Sequence, residues 1–218
     1  MVCLKKKYSI IIAILSSIGL AIAIFILCFF TIPRITYGYD NQTDTYYVDK
    51  VYGNAKEYTI LDTIDNKPVT KIQSRAFMNQ TNLVTLHMGK NISIIERLAF
   101  LDCKKLEAID LTRIEFIGRN AFENCISLKE IDLTAHDISG GSFIGCTSLS
   151  RVSLTSTSTI GSYAFYKTDL QEITIPASCT LVGEYAFDSC PNLKKIIVLS
   201  EKLQSNAYLK SLKGVVFP

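Results

Sequence analysis

The sequence predicts a solenoid of short stacked coils, with a parallel β-sheet on one side and short helical or 3-10 turns on the other, preceded by one transmembrane α-helix. Three observations predict it: a 23-residue apolar run near the N-terminus, a motif that returns about every 22 residues, and an aliphatic alternation of period two inside each copy.

The first element is the apolar run. No charge falls between Tyr8 and Ile32, and residues 10–32 read IIIAILSSIGLAIAIFILCFFTI. At about 1.5 Å per residue this is a helix of roughly 34 Å, enough for a ~30 Å hydrocarbon core. The apolar region of a cleaved signal peptide is usually about 7–15 residues long, and the best cleavage site here, Thr36-Tyr37-Gly38, is poor. Residues 10–32 therefore read as a transmembrane signal anchor; cleavage would make the protein secreted. Lys5, Lys6 and Lys7 precede the run and a lone Arg34 follows it. That asymmetry makes residues 1–9 a short cytoplasmic tail and places the remainder outside. Ala13, Ser17 and Ala21 share a face of the helix, a small-xxx-small arrangement that admits a helix-mediated dimer.

Beyond the run, 20 basic residues balance 20 acidic ones in a chain that is 48% hydrophobic and 20% charged overall. This composition excludes wholesale disorder. A neutral body without clustered Lys and Arg in the sequence also argues against nucleic acid as a partner.

Residues 33–57 are polar and tyrosine-rich and read as a stalk or an irregular N-terminal cap. The repeats occupy residues 58–198. Their fixed point is Ala-Phe, once Ser-Phe, at Phe77, Phe100, Phe122, Phe143, Phe165 and Phe187, in steps of 23, 22, 21, 22 and 22. Five residues before each Phe stands Ile72, Ile95, Ile117, Ile138, Ile160 or Val182; five or six after it stands a Leu; then an aliphatic pair such as Ile109/Leu111 or Ile131/Leu133. Ile109-Asp110-Leu111 reads as a strand with one buried face. Gly118, Gly161 and Gly183 mark the turn after the upstream aliphatic residue, and Ala-Phe-x-x-Cys reads as the short helical segment that sends Phe and Cys into the core. The period and the Leu-x-x-Ile-x-Leu core place the unit among leucine-rich repeats. A single coil cannot bury its own apolar edge, so the coils must stack. Residues 199–218 lose the pattern and read as a C-terminal cap, with Val215-Val216-Phe217 as a closing strand.

Ile117-Gly118-Arg119-Asn120-Ala121-Phe122-Glu123-Asn124-Cys125-Ile126-Ser127-Leu128 resembles the BspA-type leucine-rich repeat of bacterial and protist cell-surface proteins. The resemblance covers about residues 58–198. It implies a surface-displayed protein engaged in adhesion or host-protein binding; separately, the absence of any cofactor motif leads to the expectation of no cofactor. Gln80 in the first Cys position, a one-residue deletion after Phe165 and Gly-Gly-Ser142 in the fourth unit depart from the pattern.

Cys103, Cys125, Cys146 and Cys190 hold one place in their repeats, and Cys179 has no equivalent. Whole-coil spacing is wrong for zinc, whose ligands come in local pairs. Coils about 4.7–4.9 Å apart lie within disulfide range, whereas a packed core suits buried thiols, and both readings stand. Neither His87 nor His136 lies in a catalytic motif, so no enzyme activity is expected.

Residues flanking the buried aliphatics point outward and stack into three ladders. The first is Thr85, Ala108, Glu130, Arg151, Glu172, Lys195. The second is His87, Asp110, Asp132, Ser153, Thr174, Ile197. The third is Thr112, Thr134, Thr155, Pro176, Leu199. Glu130, Arg151, Glu172 and Lys195 alternate in sign as a salt ladder would; Asp110, Asp132 and Glu130 form a like-charged cluster. This face is the expected binding surface for an unidentified extracellular protein or glycan. The alternative expectation is a structural or accessory subunit paired with a membrane partner of its own cell.

Overall fold

The computed structural model describes residues 33–218; the expected anchor at residues 10–32 and its dimer face lie outside the described residues. Among the described residues no helix is long and apolar enough to cross a membrane. In chain order the first elements are β1 (Arg34–Asp40), β2 (Thr45–Tyr52), β3 (Glu57–Thr59), β4 (Thr63–Ile64), β5 (Lys67–Ile72), β6 (Thr85–His87), β7 (Ile94–Ile95) and β8 (Phe116–Ile117). They are followed by β9 (Glu130–Leu133), β10 (Asp137–Ile138), β11 (Arg151–Leu154), β12 (Thr159–Ile160), β13 (Glu172–Ile175), β14 (Leu181–Val182), β15 (Lys195–Val198), α1 (Ala207–Ser211) and β16 (Val215–Val216).

The coils stack in parallel, and the longest sheet is not the one the sequence points to. The upstream aliphatic residues pair coil to coil through β5, β7, β8, β10, β12 and β14, so that Ile72, Ile95, Ile117, Ile138, Ile160 and Val182 form one buried ladder. The Ile-x-Leu strands form a second side, broken into β3–β6, β9–β11 and β13–β15–β16. The expected strand at Ile109-Asp110-Leu111 is absent; only a bridge from Thr85 to Ala108 crosses there. Its cause is local: the Asp110 carboxylate accepts from the Thr112 N–H at 3.0 Å and the Thr112 hydroxyl at 2.6 Å, a turn that competes with ladder geometry. The second break, between β11 and β13, coincides with the deletion after Phe165.

The expected helical or 3-10 segment around each Phe is also absent, since among the described residues the one 3-10 turn is Glu201–Leu203, in the C-terminal cap. Each Phe is instead flanked, two residues before and two after, by left-handed residues, as in Arg75 (φ 63°) and Asn79 (φ 63°) around Phe77, or Gly141 (φ 69°) and Gly145 (φ 71°) around Phe143. Ala76 N–H and Gln80 N–H close turns on the Gln73 and Phe77 carbonyls, and a left-handed third residue is the mark of a type II turn. The intervening N–H groups of Arg75, Phe77 and Asn79 are thereby aimed out of the coil and donate to the Arg97, Ala99 and Leu101 carbonyls of the next. A 3-10 segment would turn those groups inward; the double turn uses them to join coils.

Gly118 opens the turn as expected, its carbonyl accepting the Ala121 N–H at 3.1 Å, but the turn does not need its conformational freedom. The glycine permits close approach, because a Cβ there would lie 2.5 Å from the Arg97 backbone N. The six Phe rings form one interior column, with centroid steps of 4.9, 4.9, 5.1, 5.4 and 5.8 Å and interplanar angles of 18° or less.

Both ends are covered. Residues 34–52 are a β-hairpin, β1 with β2, bulged at Thr36/Tyr37, and form a cap rather than a stalk: β2 pairs in parallel with β5 and extends the long sheet. Val48 and Val51 are its buried contribution. At the other end α1 replaces the double turn. Residues 199–218 do not lose the repeat entirely, for Ala207-Tyr208 follows Ala186-Phe187 by 21 residues. The Tyr208 hydroxyl accepts the Phe187 N–H at 2.8 Å, standing in for the carbonyl a further coil would offer, and β16 pairs with β15.

Candidate functional site

The three outward ladders come together on the face carrying the Ile-x-Leu strands. Thr85, His87, Asp110, Thr112, Glu130, Asp132, Arg151, Thr155, Glu172, Thr174 and Lys195 are exposed, and Thr134 and Ser153 are half-buried. Pro176 is a correction to the third ladder: it is buried at the end of β13.

Much of this face is already engaged with itself. Arg151 reaches Glu130 at 2.6 Å, Lys129 reaches Glu107 at 3.0 Å and His87 reaches Glu57 at 2.7 Å, each one coil apart. Opposite charges on neighbouring strands contribute roughly 0.2–1 kcal/mol per pair. The full salt ladder does not form: Glu172 and Lys195 are register partners, yet they make no ion pair, and the break between β11 and β13 separates Arg151 from Glu172. The threonines are occupied as well. Thr134 donates to the Thr112 carbonyl at 2.8 Å and Thr155 to the Leu133 carbonyl at 3.1 Å, which ties successive coils together.

Asp110 is held by Thr112 and by Arg113, whose guanidinium lies 2.9 Å away. The Thr112 hydroxyl, more than any charge, holds its carboxyl below the usual carboxylate range. The like-charged cluster is therefore partly neutralised, and among the described residues no group of three or more His, Cys, Asp or Glu could hold a metal ion. A cleft of about 380 Å³ opens beside Asp110 and Asp132 where the strand is missing, and Ala108 is among the residues that line it.

The five cysteines of the described residues are unbridged. The thiols of Cys103, Cys125, Cys146 and Cys190 donate to the carbonyls of Phe77, Phe100, Phe122 and Phe165, one coil earlier, at 3.1 to 3.2 Å. Burial pushes Cys103 and Cys146 up to about 12 and Cys125 well above the ordinary thiol range. These groups are structural donors, not nucleophiles.

The double-turn face was not singled out by the sequence reading. Arg97 and Arg119 stand three residues before their Phe, and Arg75 two residues before. All three are exposed and, among the described residues, none enters an ion pair, unlike Arg113 and Arg151. Farther along, Tyr163 and Tyr185 are 41% and 44% exposed and stack at 4.9 Å. Between these groups Gly140 and Gly141 leave a cleft of about 440 Å³, also lined by Arg119, Asn120, Ser162 and Tyr163. The signal was available in the same 22-residue step that revealed the Phe column.

The family model described as the BspA type leucine rich repeat region matches residues 54–156 and 134–213, with six copies. No curated protein matches the chain. Among solved structures it is similar to a leucine rich cell surface protein from Faecalibacterium prausnitzii, at 25% identity and a TM-score of 0.61 over 78% of this chain. It is also similar to the leucine rich repeat protein of T. pallidum, at 24% identity and a TM-score of 0.52 over 75% of this chain. The chain spans 55% of the length of the first and 68% of the second.

Proposed function

We propose, for a chain that belongs to the BspA-type leucine-rich-repeat family, a non-catalytic binding role at the cell surface, with the coils held outside by an anchor at residues 10–32 and engaging an extracellular protein or glycan. The observation that carries this reading is the stack itself. It aligns chemically distinct rows of exposed side chains along its length at the spacing of one coil, and such rows suit recognition of an extended partner. The description of the F. prausnitzii neighbour as a cell surface protein supports the location.

The test uses the full chain in detergent micelles against a panel of extracellular matrix proteins and polysaccharides. Saturable binding to at least one of them is expected. A second arm exposes intact cells to a protease, which should remove the repeats and leave the anchor. Absence of binding across the panel, or repeats protected in intact cells while cut in lysed ones, contradicts the reading.

A further inference from the structure

The two long faces of the stack treat charge differently. On the strand face some charges one coil apart are paired, as in Arg151 with Glu130 and Lys129 with Glu107, although the register partners Glu172 and Lys195 are not. On the double-turn face Arg75, Arg97 and Arg119 occupy three consecutive coils joined backbone to backbone, Arg75 N–H to the Arg97 carbonyl and Leu98 N–H to the Arg119 carbonyl. Arg97 and Arg119 hold the same position, three residues before their Phe, and like charges on neighbouring coils repel; Arg75 stands one position later on the adjoining coil. The carboxylates at hand do not relieve them: Glu96 faces Lys71 and accepts from the Ser74 N–H, and Glu123 accepts from the Asn120 amide. Three forked guanidiniums are thus left facing solvent, each able to take a carboxylate through two parallel hydrogen bonds.

The same stripe continues into a cleft and then an aromatic platform. At the position two residues before Phe, the coils carry Asn120, then Gly141, then Tyr163 and Tyr185. Gly141 removes one side chain from the row, and the cleft of about 440 Å³ left there is within the ordinary size of a ligand pocket. Asn120, Ser162 and Tyr163 line it. Tyr163 and Tyr185 stack parallel to each other within 21° and remain open to solvent. An aromatic face is electron-rich and attracts the weakly positive C–H groups on the flat side of a pyranose.

We propose that the double-turn face binds a linear polysaccharide bearing carboxylates, its acid groups on Arg75, Arg97 and Arg119 and its sugar rings on Tyr163 and Tyr185 across the Gly140–Gly141 cleft. The proposal deepens the surface-binding reading and rests on it. A single-stranded nucleic acid would also bring anions and stacking rings, but it needs a positively charged groove that tracks its backbone. Here only three cations line one edge of a body that is neutral as a whole.

The test measures binding of polygalacturonate oligomers to the full chain in detergent. Neutral dextran, poly-aspartate and an oligo-dT strand serve as comparisons. Polygalacturonate is expected to bind at least tenfold more tightly than each of the three, and to weaken as salt rises. Arg97→Ala with Arg119→Ala should lower its affinity at least tenfold and remove most of the salt dependence. Tyr163→Gly keeps the left-handed backbone without strain and should lower affinity severalfold with an unchanged melting curve. Glu130→Gln, on the strand face, should change nothing. Equal or tighter binding of poly-aspartate or oligo-dT overturns the proposal, as does polygalacturonate binding that survives the double Arg variant. If another polysaccharide or protein of the panel binds while polygalacturonate does not, this site is wrong and the surface-binding reading stands. If nothing binds, both fall.

Discussion

A thiol buried between coils is a poor acid, because ionising it would place a charge in the Phe-lined interior. The folded Cys103 and Cys146 titrate near 12, while an unfolded thiol titrates at about 8.5. A group whose folded pKa is raised contributes its stability in full below the unfolded pKa and loses it as pH climbs toward the folded one. Stability should therefore fall between pH ~9 and ~12, by about 1.4 kcal/mol per pH unit for each such thiol. Chemical unfolding measured across that range, on the native chain and on Cys103→Ala with Cys146→Ala, checks this; the double variant should start less stable at pH 7 and decline less steeply. Among the described residues the native thiols should resist alkylation until the chain unfolds, with half-buried Cys190 the first of them to react. At this scale the sequence was informative wherever a residue recurs at a fixed place, as the Phe and Cys residues do. Whether the thiols were bridged depended on side-chain direction. The Sγ atoms of Cys103, Cys125, Cys146 and Cys190 point at a carbonyl of the preceding coil rather than at a neighbour's sulfur, which spacing alone does not fix.

Among the elements, the double turn explains more of the fold than the strands do. Its left-handed positions are occupied by Leu98, Tyr163 and Tyr185 as well as by Gly and Asn. Each non-glycine residue there costs roughly 1–2 kcal/mol, tolerated because the turn aims three N–H groups at the next coil. Replacing Gly145 (φ 71°) with Ala should destabilise by about 1–2 kcal/mol, whereas Leu98→Gly should relieve strain and leave stability unchanged or raised. Thermal melts of the two variants beside the native chain test the pair of predictions. The sequence pattern Ala-Phe-x-x-Cys fits a helical turn equally well, since both place Phe and Cys inside, so periodicity pointed to the wrong local structure. The strand at Ile109–Leu111 was misread because Asp110, a solvent-facing position in the pattern, closes a turn with Thr112. The N-terminal hairpin was missed for a different reason. Ile35, Tyr37, Tyr46, Tyr47 and Val48 carry strand propensity, but the bulge at Thr36/Tyr37 interrupts their alternation.

Over the whole molecule each coil touches only its neighbours, so stability is built from interfaces rather than from a central core. The repeat period disclosed the stacking of coils, but neither the double turn around each Phe nor which side carries the longest sheet. It did not disclose which face is free to bind, because that depends on which exposed charges find partners after folding. Arg75, Arg97 and Arg119 are some 22 residues apart in sequence and adjacent in space, and no local cluster announces them. The column of six Phe rings is the part of the account on which every later step depends. Its most direct test is equilibrium urea unfolding of Phe122→Ala, at the middle of the column, against the native chain. A ring packed on Phe100 and Phe143 at 4.9 and 5.1 Å should cost about 3–5 kcal/mol when truncated. A loss of under about 1 kcal/mol would mean that the rings do not form a shared interior, and would contradict the stacked architecture.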